Sequence, residues 1–256
     1  MNRLMTGRFF LCLWALVPRM LFAQMEDVPS VEESYLDEHI ELRIMSEGSK
    51  AIGRSQKLEA LDFIEAYLEA GNVSPDAQKV LLGILINLSL QGTLHKERVN
   101  GVPGGNSYPD VRWRAITYLG EIPKSVYLSS PPPRVKEAAA PASIVNNEWM
   151  LQFILLNEEE PEAAIAAVTS LKKIGSYENN SIIALEKSFR KFDAGQPNNR
   201  LALAVIDYYD AAPAPKPRSM AETIDYIRGS PNYDYRVRAR ADKIIKDFVK
   251  SFYKGR

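Results

Sequence analysis

The residues best suited to chemistry in this sequence are few and far apart. The two histidines, His39 and His95, stand alone, without the H-E-x-x-H or C-x-x-C spacing that builds a metal site. The three glutamates at 158–160 offer carboxylates, but they directly precede Pro161, where acidic side chains complement the positive end of a helix. The sequence therefore predicts no metal, no cofactor and no enzyme.

Two further features lack the residues that their chemistry requires. The glycine-rich stretch 101–105 has no following Lys-Ser or Lys-Thr pair, so it does not match a phosphate-binding loop. Cys12 is the only cysteine and lies in a segment that is predicted to be removed. The remaining chain is then expected to form no disulfide and to use no thiolate nucleophile.

The first 23 residues have the pattern of a secretory signal peptide. Arg3 and Arg8 precede an apolar run at 9–17, and Ala23 offers a small residue for cleavage. The run is about half as long as the ~20 residues that a membrane helix needs. The sequence therefore predicts export to a periplasmic or extracellular location, and retention of the segment as a short anchor stays open.

Charge is unevenly distributed, although the whole chain has 32 basic and 32 acidic residues. Residues 24–53 form an acidic N-terminal element, whereas residues 236–256 are strongly basic. Without the predicted signal peptide the chain is mildly acidic, which argues against nonspecific nucleic-acid binding. The two ends are interpreted either as solvated elements or as oppositely charged docking surfaces, which would also permit self-association.

A helix-like segment recurs along the chain, and a repeat of this kind decides the fold. Its most regular form, V-R-x-R-A, ends at Ala115 and again at Ala241. Most of the segments open with proline and a polar residue, as the first turn of a helix favours, and continue with apolar residues at helical spacing. The anchor residues of the five segments, spaced by 34, 52, 37 and 37 residues, are Leu81, Ala115, Ala167, Ala204 and Ala241.

Partner helices are predicted before four of the five segments, at 55–70, 147–157, 181–192 and 219–228. No clear first helix precedes Pro109, because glycines and other helix breakers interrupt 92–107, so this repeat is predicted to be truncated. No stretch alternates with a period of two, and strands are not expected. The pattern predicts an all-α fold of stacked antiparallel helix pairs.

Two of the segments resemble a known repeat. P-D-V-R-x-R-A-I-x-x-L-G, from Pro109 to Gly120, and E-A-A-I-A-A-V-x-x-L-K-K-I-G, from Glu162 to Gly175, are similar to the second helix of HEAT-like repeats in the armadillo-type α-solenoid class. The resemblance covers about residues 55–250. It implies a right-handed α-solenoid of about four to five repeats, within a repeat domain at 54–252.

The resemblance also implies how the repeats are held together. Each helix pair is too small to bury its apolar face alone, so equivalent pairs stack on one another and the same pattern is repeated. The family's Asp–Arg pairing at the start of the second helix matches Asp110 with Arg112. The Pro-rich insertion at 123–143 is interpreted either as a spacer that bridges a skipped half-repeat or as a recognition loop.

The function implied by such a solenoid is protein binding. A scaffold or adaptor would bind another protein, as an acidic or extended segment, on the concave face of the second helices. The residues expected on that face are Arg112, Trp113, Arg114, Tyr118, Lys172, Tyr209, Arg238 and Arg240. Trp113 and Tyr118 are alternatively interpreted as packed in the core between repeats. The alternatives are an envelope-associated assembly factor that contacts anionic lipid or polymer through its basic C-terminal helix, and an enzyme with an unfamiliar site.

Overall fold

The computed structural model describes residues 31–51, 53–71, 73–90, 98–99, 102–103, 108–129 and 145–254, of which 76% are helical. The chain divides after Ile40 into two units, and the helical array lies in residues 41–256. The ten helices among the described residues are α1 (Val31–Lys50), α2 (Arg54–Glu69), α3 (Pro75–Ser89), α4 (Pro109–Leu119), α5 (Asn147–Asn157), α6 (Pro161–Lys173), α7 (Asn179–Gly195), α8 (Asn199–Ala211), α9 (Arg218–Gly229) and α10 (Tyr235–Lys254). The predicted signal peptide lies outside the described residues.

The helices begin where the sequence supplies a cap or a proline. The side chains of Ser74, Asn146 and Asn198 each accept a hydrogen bond from a backbone amide in the first turn of α3, α5 and α8. Pro109 and Pro161 open α4 and α6, where a missing N–H costs nothing. These starts confirm the predicted starts of the repeated segments.

Alternate helices stack on one another in two layers, as in an α-helical repeat array. The second helices α2, α4, α6, α8 and α10 contact one another in that order, and among the first helices α3 contacts α5 and α5 contacts α7. The pairs α3–α4, α5–α6, α7–α8 and α9–α10 each pack together. The C-terminal half of α1 packs on α2, because a Cβ at Gly48 would lie 2.9 Å from the Cβ of Ala60. The predicted all-α fold of stacked helix pairs is confirmed.

The predicted pairing of the first three helices is wrong. The sequence pattern made Leu81 the anchor of a second helix and left Pro109 without a partner helix, but α3, which carries Leu81, is the first helix packed on α4. The error arose because α3 opens with Pro75 and is apolar on most sides, as a second helix also would be. Residues 91–107 thus connect two helices of one repeat in the sequence, and α2 belongs with the C-terminal half of α1.

Two short antiparallel strand pairs depart from the expectation that strands would be absent. β1 (Arg98–Val99) pairs with β2 (Val102–Pro103) between α3 and α4. β3 (Tyr127–Leu128) pairs with β4 (Val145–Asn146) between α4 and α5. Each pair is two residues long, so the array remains helical.

The β3–β4 pair explains the long spacing between the anchors Ala115 and Ala167. The segments on either side of residues 129–144 lie side by side, because Tyr127 and Leu128 pair with Asn146 and Val145, and Asn147 donates to the carbonyl oxygens of Leu119 (3.0 Å) and Ile122 (2.5 Å). Since α4 and α6 contact each other directly, no half-repeat is skipped and the spacer interpretation fails. The recognition-loop interpretation stays a prediction, and residues 130–144 lie outside the described residues.

Small residues bring neighbouring second helices close together. A Cβ at Gly120 would lie 2.8 Å from Oγ of Ser170, and this hydroxyl donates to the carbonyl oxygen of Ile116 at 2.9 Å. Four alanines on α6 are buried, at 163, 164, 166 and 167. Without larger side chains between them, the axes of α4 and α6 can approach closely.

Candidate functional site: the face of the second helices

The second helices share one register, which the burial of their side chains defines. The six buried positions of α4 recur with identical spacing in α8, and the same positions are buried in α6. In α4 they are Val111, Arg112, Ala115, Ile116, Tyr118 and Leu119, and in α8 they are Leu201, Ala202, Val205, Ile206, Tyr208 and Tyr209. The equivalent of Ala115 in α8 is therefore Val205, and the predicted anchor Ala204 is wrong by one residue.

The two copies of V-R-x-R-A use their second arginine in the same way. Arg114 donates to Asp62 (2.6 Å) and Glu65 (3.2 Å) of the preceding second helix. Arg240 donates to Asp207 (2.9 Å) and Asp210 (3.0 Å), again on the preceding second helix. The sequence pattern therefore repeats a bridging ion pair as well as a packing surface.

A second row of ion pairs lies near the starts of the second helices. Arg54 donates to Asp110 at 3.2 Å through Nε, and Arg200 donates to Glu162 at 2.7 Å. The hydrogen bond from Arg54 holds the pKa of Asp110 below its usual value. Asp110, which the resemblance paired with Arg112, thus has an ion-pair partner on the preceding second helix.

Arg112 forms a buried ion pair with the next repeat. Its Nη2 lies 3.1 Å from Oε1 of Glu158, and only 3% and 1% of the two side chains are exposed. The same Oε1 accepts the backbone amides of Glu159 and Glu160, both at 2.9 Å. Glu158 therefore holds the turn before α6 and ties it to α4, which is a structural role rather than a catalytic one.

The basic binding face that the sequence predicted does not form as expected. Arg112, Tyr118 and Tyr209 are buried in the core, so their predicted exposure is wrong. The helical period places them on the buried side of α4 and α8, and burial raises the pKa of Tyr209. The two bridging arginines described above are half-buried against acids.

Two of the predicted face residues are exposed. Trp113 and Lys172 are exposed, and Arg238 is half-buried. Trp113 is 41% exposed, which is unusual for so large an apolar side chain on a helix that packs on four others. Its position, and not the positions of the arginines, defines the accessible part of the face.

The sequence analysis missed a row of apolar residues on this face. The variable position x of V-R-x-R-A carries an apolar side chain in each of the five second helices that the structure describes, and no member of the row is fully buried. We call this set the apolar row, and it consists of Leu58, Trp113, Ile165, Leu203 and Ala239. An alignment on the buried positions would have revealed it, since x always stands between two buried positions of the register.

The surroundings of the apolar row carry little unpaired polarity. The hydroxyl of Thr117 donates to the carbonyl oxygen of Trp113 at 2.9 Å, and that of Thr169 donates to Ile165 at 2.8 Å. Each hydroxyl is thus turned toward its own helix, which exposes the methyl group. Because the neighbouring arginines bridge acids of the preceding helix, the middle of the face is apolar and close to neutral.

A separate pocket of about 290 Å³ lies between the first helices α7 and α9. Asp193 lies in its wall and accepts hydrogen bonds from the hydroxyls of Tyr226 and Tyr233, both at 2.5 Å. Phe189 stacks on Tyr233 with ring centroids 6.3 Å apart. These contacts fix the junction between α7 and α9.

The sequence predicts no catalytic or metal-binding cluster. Among the described residues, no group of three or more His, Cys, Asp or Glu side chains is placed to hold a metal ion. His39 is exposed on α1, while His95 and most of the glycine-rich stretch 101–105 lie outside the described residues. In the same part of the chain, no helix combines the length and the apolar character needed to cross a membrane.

The fold and the face together define an all-α protein built as a helical repeat array with an accessible apolar row along its second helices. No protein-family model, curated protein or solved structure matches the chain.

Proposed function

We propose that this protein is a non-enzymatic scaffold that binds another protein along the face of its second helices, and that the bound segment is an amphipathic helix. The observation that supports the proposal is the apolar row, an apolar side chain at the same position in each of the five second helices, two of them exposed and three half-buried. Repeat arrays offer extended surfaces of this kind to their partners. Trp113, the largest member, is the side chain best suited to be a binding hot spot.

The spacing of the row favours a helix that lies across the second helices. Packed helices have axes about 8–10 Å apart. An α-helix rises about 10.5 Å over seven residues. A partner helix with an apolar side chain at every seventh residue would therefore contact one member of the row on each second helix.

The charges beside the row support an apolar ligand rather than an acidic one. Arg114 and Arg240 already bridge two carboxylates each, so an acidic segment would have to displace those partners. Replacing one carboxylate by another yields little net free energy on an exposed surface. Burial of apolar area carries no such competition.

The remaining predictions from the sequence belong to the same proposal. The array is a HEAT-like solenoid that acts after export, and the signal-like residues 1–23 direct it to a periplasmic or extracellular location. The alternative is contact with anionic lipid or polymer through the basic residues of α10. Strong salt dependence of envelope association would favour that alternative.

Site-specific photo-crosslinking tests the proposal. A photoreactive amino acid is placed at Trp113 or at Ile165 of the full chain, in the native cell. Ile183 is the matched control, because it is 40% exposed, as Trp113 is 41% exposed, but lies on the first helix α7. We expect both positions on the row, and not the control, to capture the same protein through a segment with apolar residues seven apart.

Two outcomes would contradict the proposal. Equal capture of one protein at all three positions would show that the face has no selectivity. Capture through a charged or extended segment would show that the ligand is not an apolar helix.

A further inference from the structure

The two ends of the helical array differ from its interior at equivalent positions. In the shared register, the position of Tyr118 faces the preceding second helix, and its equivalents Ser170, Tyr208 and Ile244 are buried, as Tyr118 is. The equivalent in α2 is Phe63, which is 46% exposed. The helix α2, the earliest of the second helices, thus exposes an aromatic side chain at a position that is buried in every later repeat.

The equivalence of Phe63 and Tyr118 follows from the bridging ion pairs. The position of Arg114 and Arg240 contacts acids at two fixed positions of the preceding second helix. Asp62 and Glu65 in α2 match Asp207 and Asp210 in α8 in this respect. When α2 is aligned on this match, Phe63 falls at the position of Tyr118, and Glu59 falls at the position of the bridging arginine.

At the other end of the array, α10 carries basic side chains that are opposite in charge to Glu59 on α2. In α2, Asp62 and Glu65 occupy the two positions that pair with the bridging arginine of the next second helix. In α10, the same two positions carry Lys243 and Lys246. Both lysines are exposed. Glu59 and Lys243 are exposed and form no ion pair among the described residues, and Lys246 pairs at the surface only with Asp242 of its own helix.

We propose that a second copy of this chain stacks head to tail on the first, with α2 of one copy packed on α10 of the other. Glu59 then bridges Lys243 and Lys246 of the neighbouring copy, in the geometry that Arg114 and Arg240 show within one chain but with the charges reversed. Phe63 is covered by the aliphatic stems of the same lysines. The array continues through the contact between copies as it does between repeats.

Apolar surface at both ends contributes to this contact. The groove between α9 and α10 has a volume of about 660 Å³ and is lined by Ala221 and Ile245 together with charged side chains, of which Lys246 is one. At the opposite end, Ile44 on α1 is exposed. Exposed apolar area that no repeat of the same chain covers is typical of an interaction surface.

A head-to-tail contact joins two different surfaces, so it does not close on itself and allows longer assemblies to form. The mass of the full-length protein is measured by sedimentation equilibrium over a wide range of concentration. We expect the mass to rise above that of one chain with concentration. A mass of one chain throughout the range would overturn the proposal.

Charge reversal identifies the surface. Glu59→Lys, and separately Lys243→Glu with Lys246→Glu, place like charges across the contact and are expected to weaken self-association at least about tenfold. The exposed Lys187→Glu on α7 is the matched control and leaves the mass unchanged. A mixture of the two reversed proteins restores association, because each reversed end meets an end of opposite charge.

An association that persists in both reversed proteins, or a mixture that fails to associate, would overturn the proposal. Circular dichroism confirms that each variant is folded, since the exchanged side chains are exposed. This inference does not depend on the proposed partner helix. Trp113→Ser is expected to leave the mass unchanged, and Glu59→Lys is expected to leave crosslinking at Trp113 unchanged, so either hypothesis can fail alone.

Discussion

The buried pair of Arg112 and Glu158 allows the sharpest prediction about stability. With 3% and 1% of the side chains exposed, water solvates neither charge, and the ion pair contributes to the stabilisation of both. Removing one partner of a buried pair leaves an uncompensated charge and typically costs about 3–5 kcal/mol. We therefore expect Arg112→Met, and separately Glu158→Gln, each to lower the free energy of unfolding by about 3 kcal/mol or more.

The double variant should lose much less than the sum of the two single variants. In Arg112→Met with Glu158→Gln neither side chain of the pair is charged, and the glutamine oxygen can still accept the backbone amides of Glu159 and Glu160. We expect a total loss of about 1–2 kcal/mol for an imperfectly paired neutral group. The coupling between the two sites is then at least about 2 kcal/mol, in a range typical of residues in direct contact.

Urea unfolding followed by circular dichroism measures all four proteins. The comparison is valid if the dependence of the free energy on urea is the same in each of them. A loss below about 0.5 kcal/mol in Glu158→Gln would be the size expected of a surface substitution and would refute the reasoning. Additive losses in the double variant would refute it as well.

Two further predictions concern a turn and a surface ion pair. Gly175 has a φ of 67°, and a Cβ there would meet no atom within 4 Å, so Gly175→Ala should lower the free energy of unfolding by about 1–2 kcal/mol through backbone strain alone. Gly83 lies inside α3, where a Cβ would also meet no atom within 4 Å. Gly83→Ala should therefore raise the urea midpoint, because alanine favours the helix more than glycine does. Because the hydrogen bond from Arg54 lowers the pKa of Asp110, the contribution of Asp110 to stability is fully present above pH ~4 and is lost as the pH falls through the lower folded-state value. Asp110→Asn should therefore lower the urea midpoint at neutral pH, and the difference from the unchanged protein should vanish in acid; a difference that persists there would contradict the assignment.

Much of the helical array could be predicted from the sequence because its signals are local. Proline at the first turn marks α4 and α6, the capping side chain of Asn198 marks α8, and all three have apolar residues at helical spacing. Pairing of the helices is not local. α3 carries the same start signal as a second helix, and only its packing on α4 shows that it is a first helix.

The candidate site was harder to predict, for a related reason. Arg114 looks like a free cation in the sequence, since its partner Asp62 lies 52 residues earlier. The apolar row was obscured because its side chains range from Ala239 to Trp113 in size. What they share is a position relative to the buried residues, and that position becomes clear only when the burial of each helix is known.

The central claim is that the apolar row binds a partner helix, and affinity tests it most directly. The protein captured by crosslinking is purified and titrated against the unchanged chain, Trp113→Ser and the control Ile183→Ser. We expect the Kd to rise at least about tenfold for Trp113→Ser, as for a binding hot spot, and to stay unchanged for the control. An unchanged Kd for Trp113→Ser, or an equal loss in both variants, would contradict the claim.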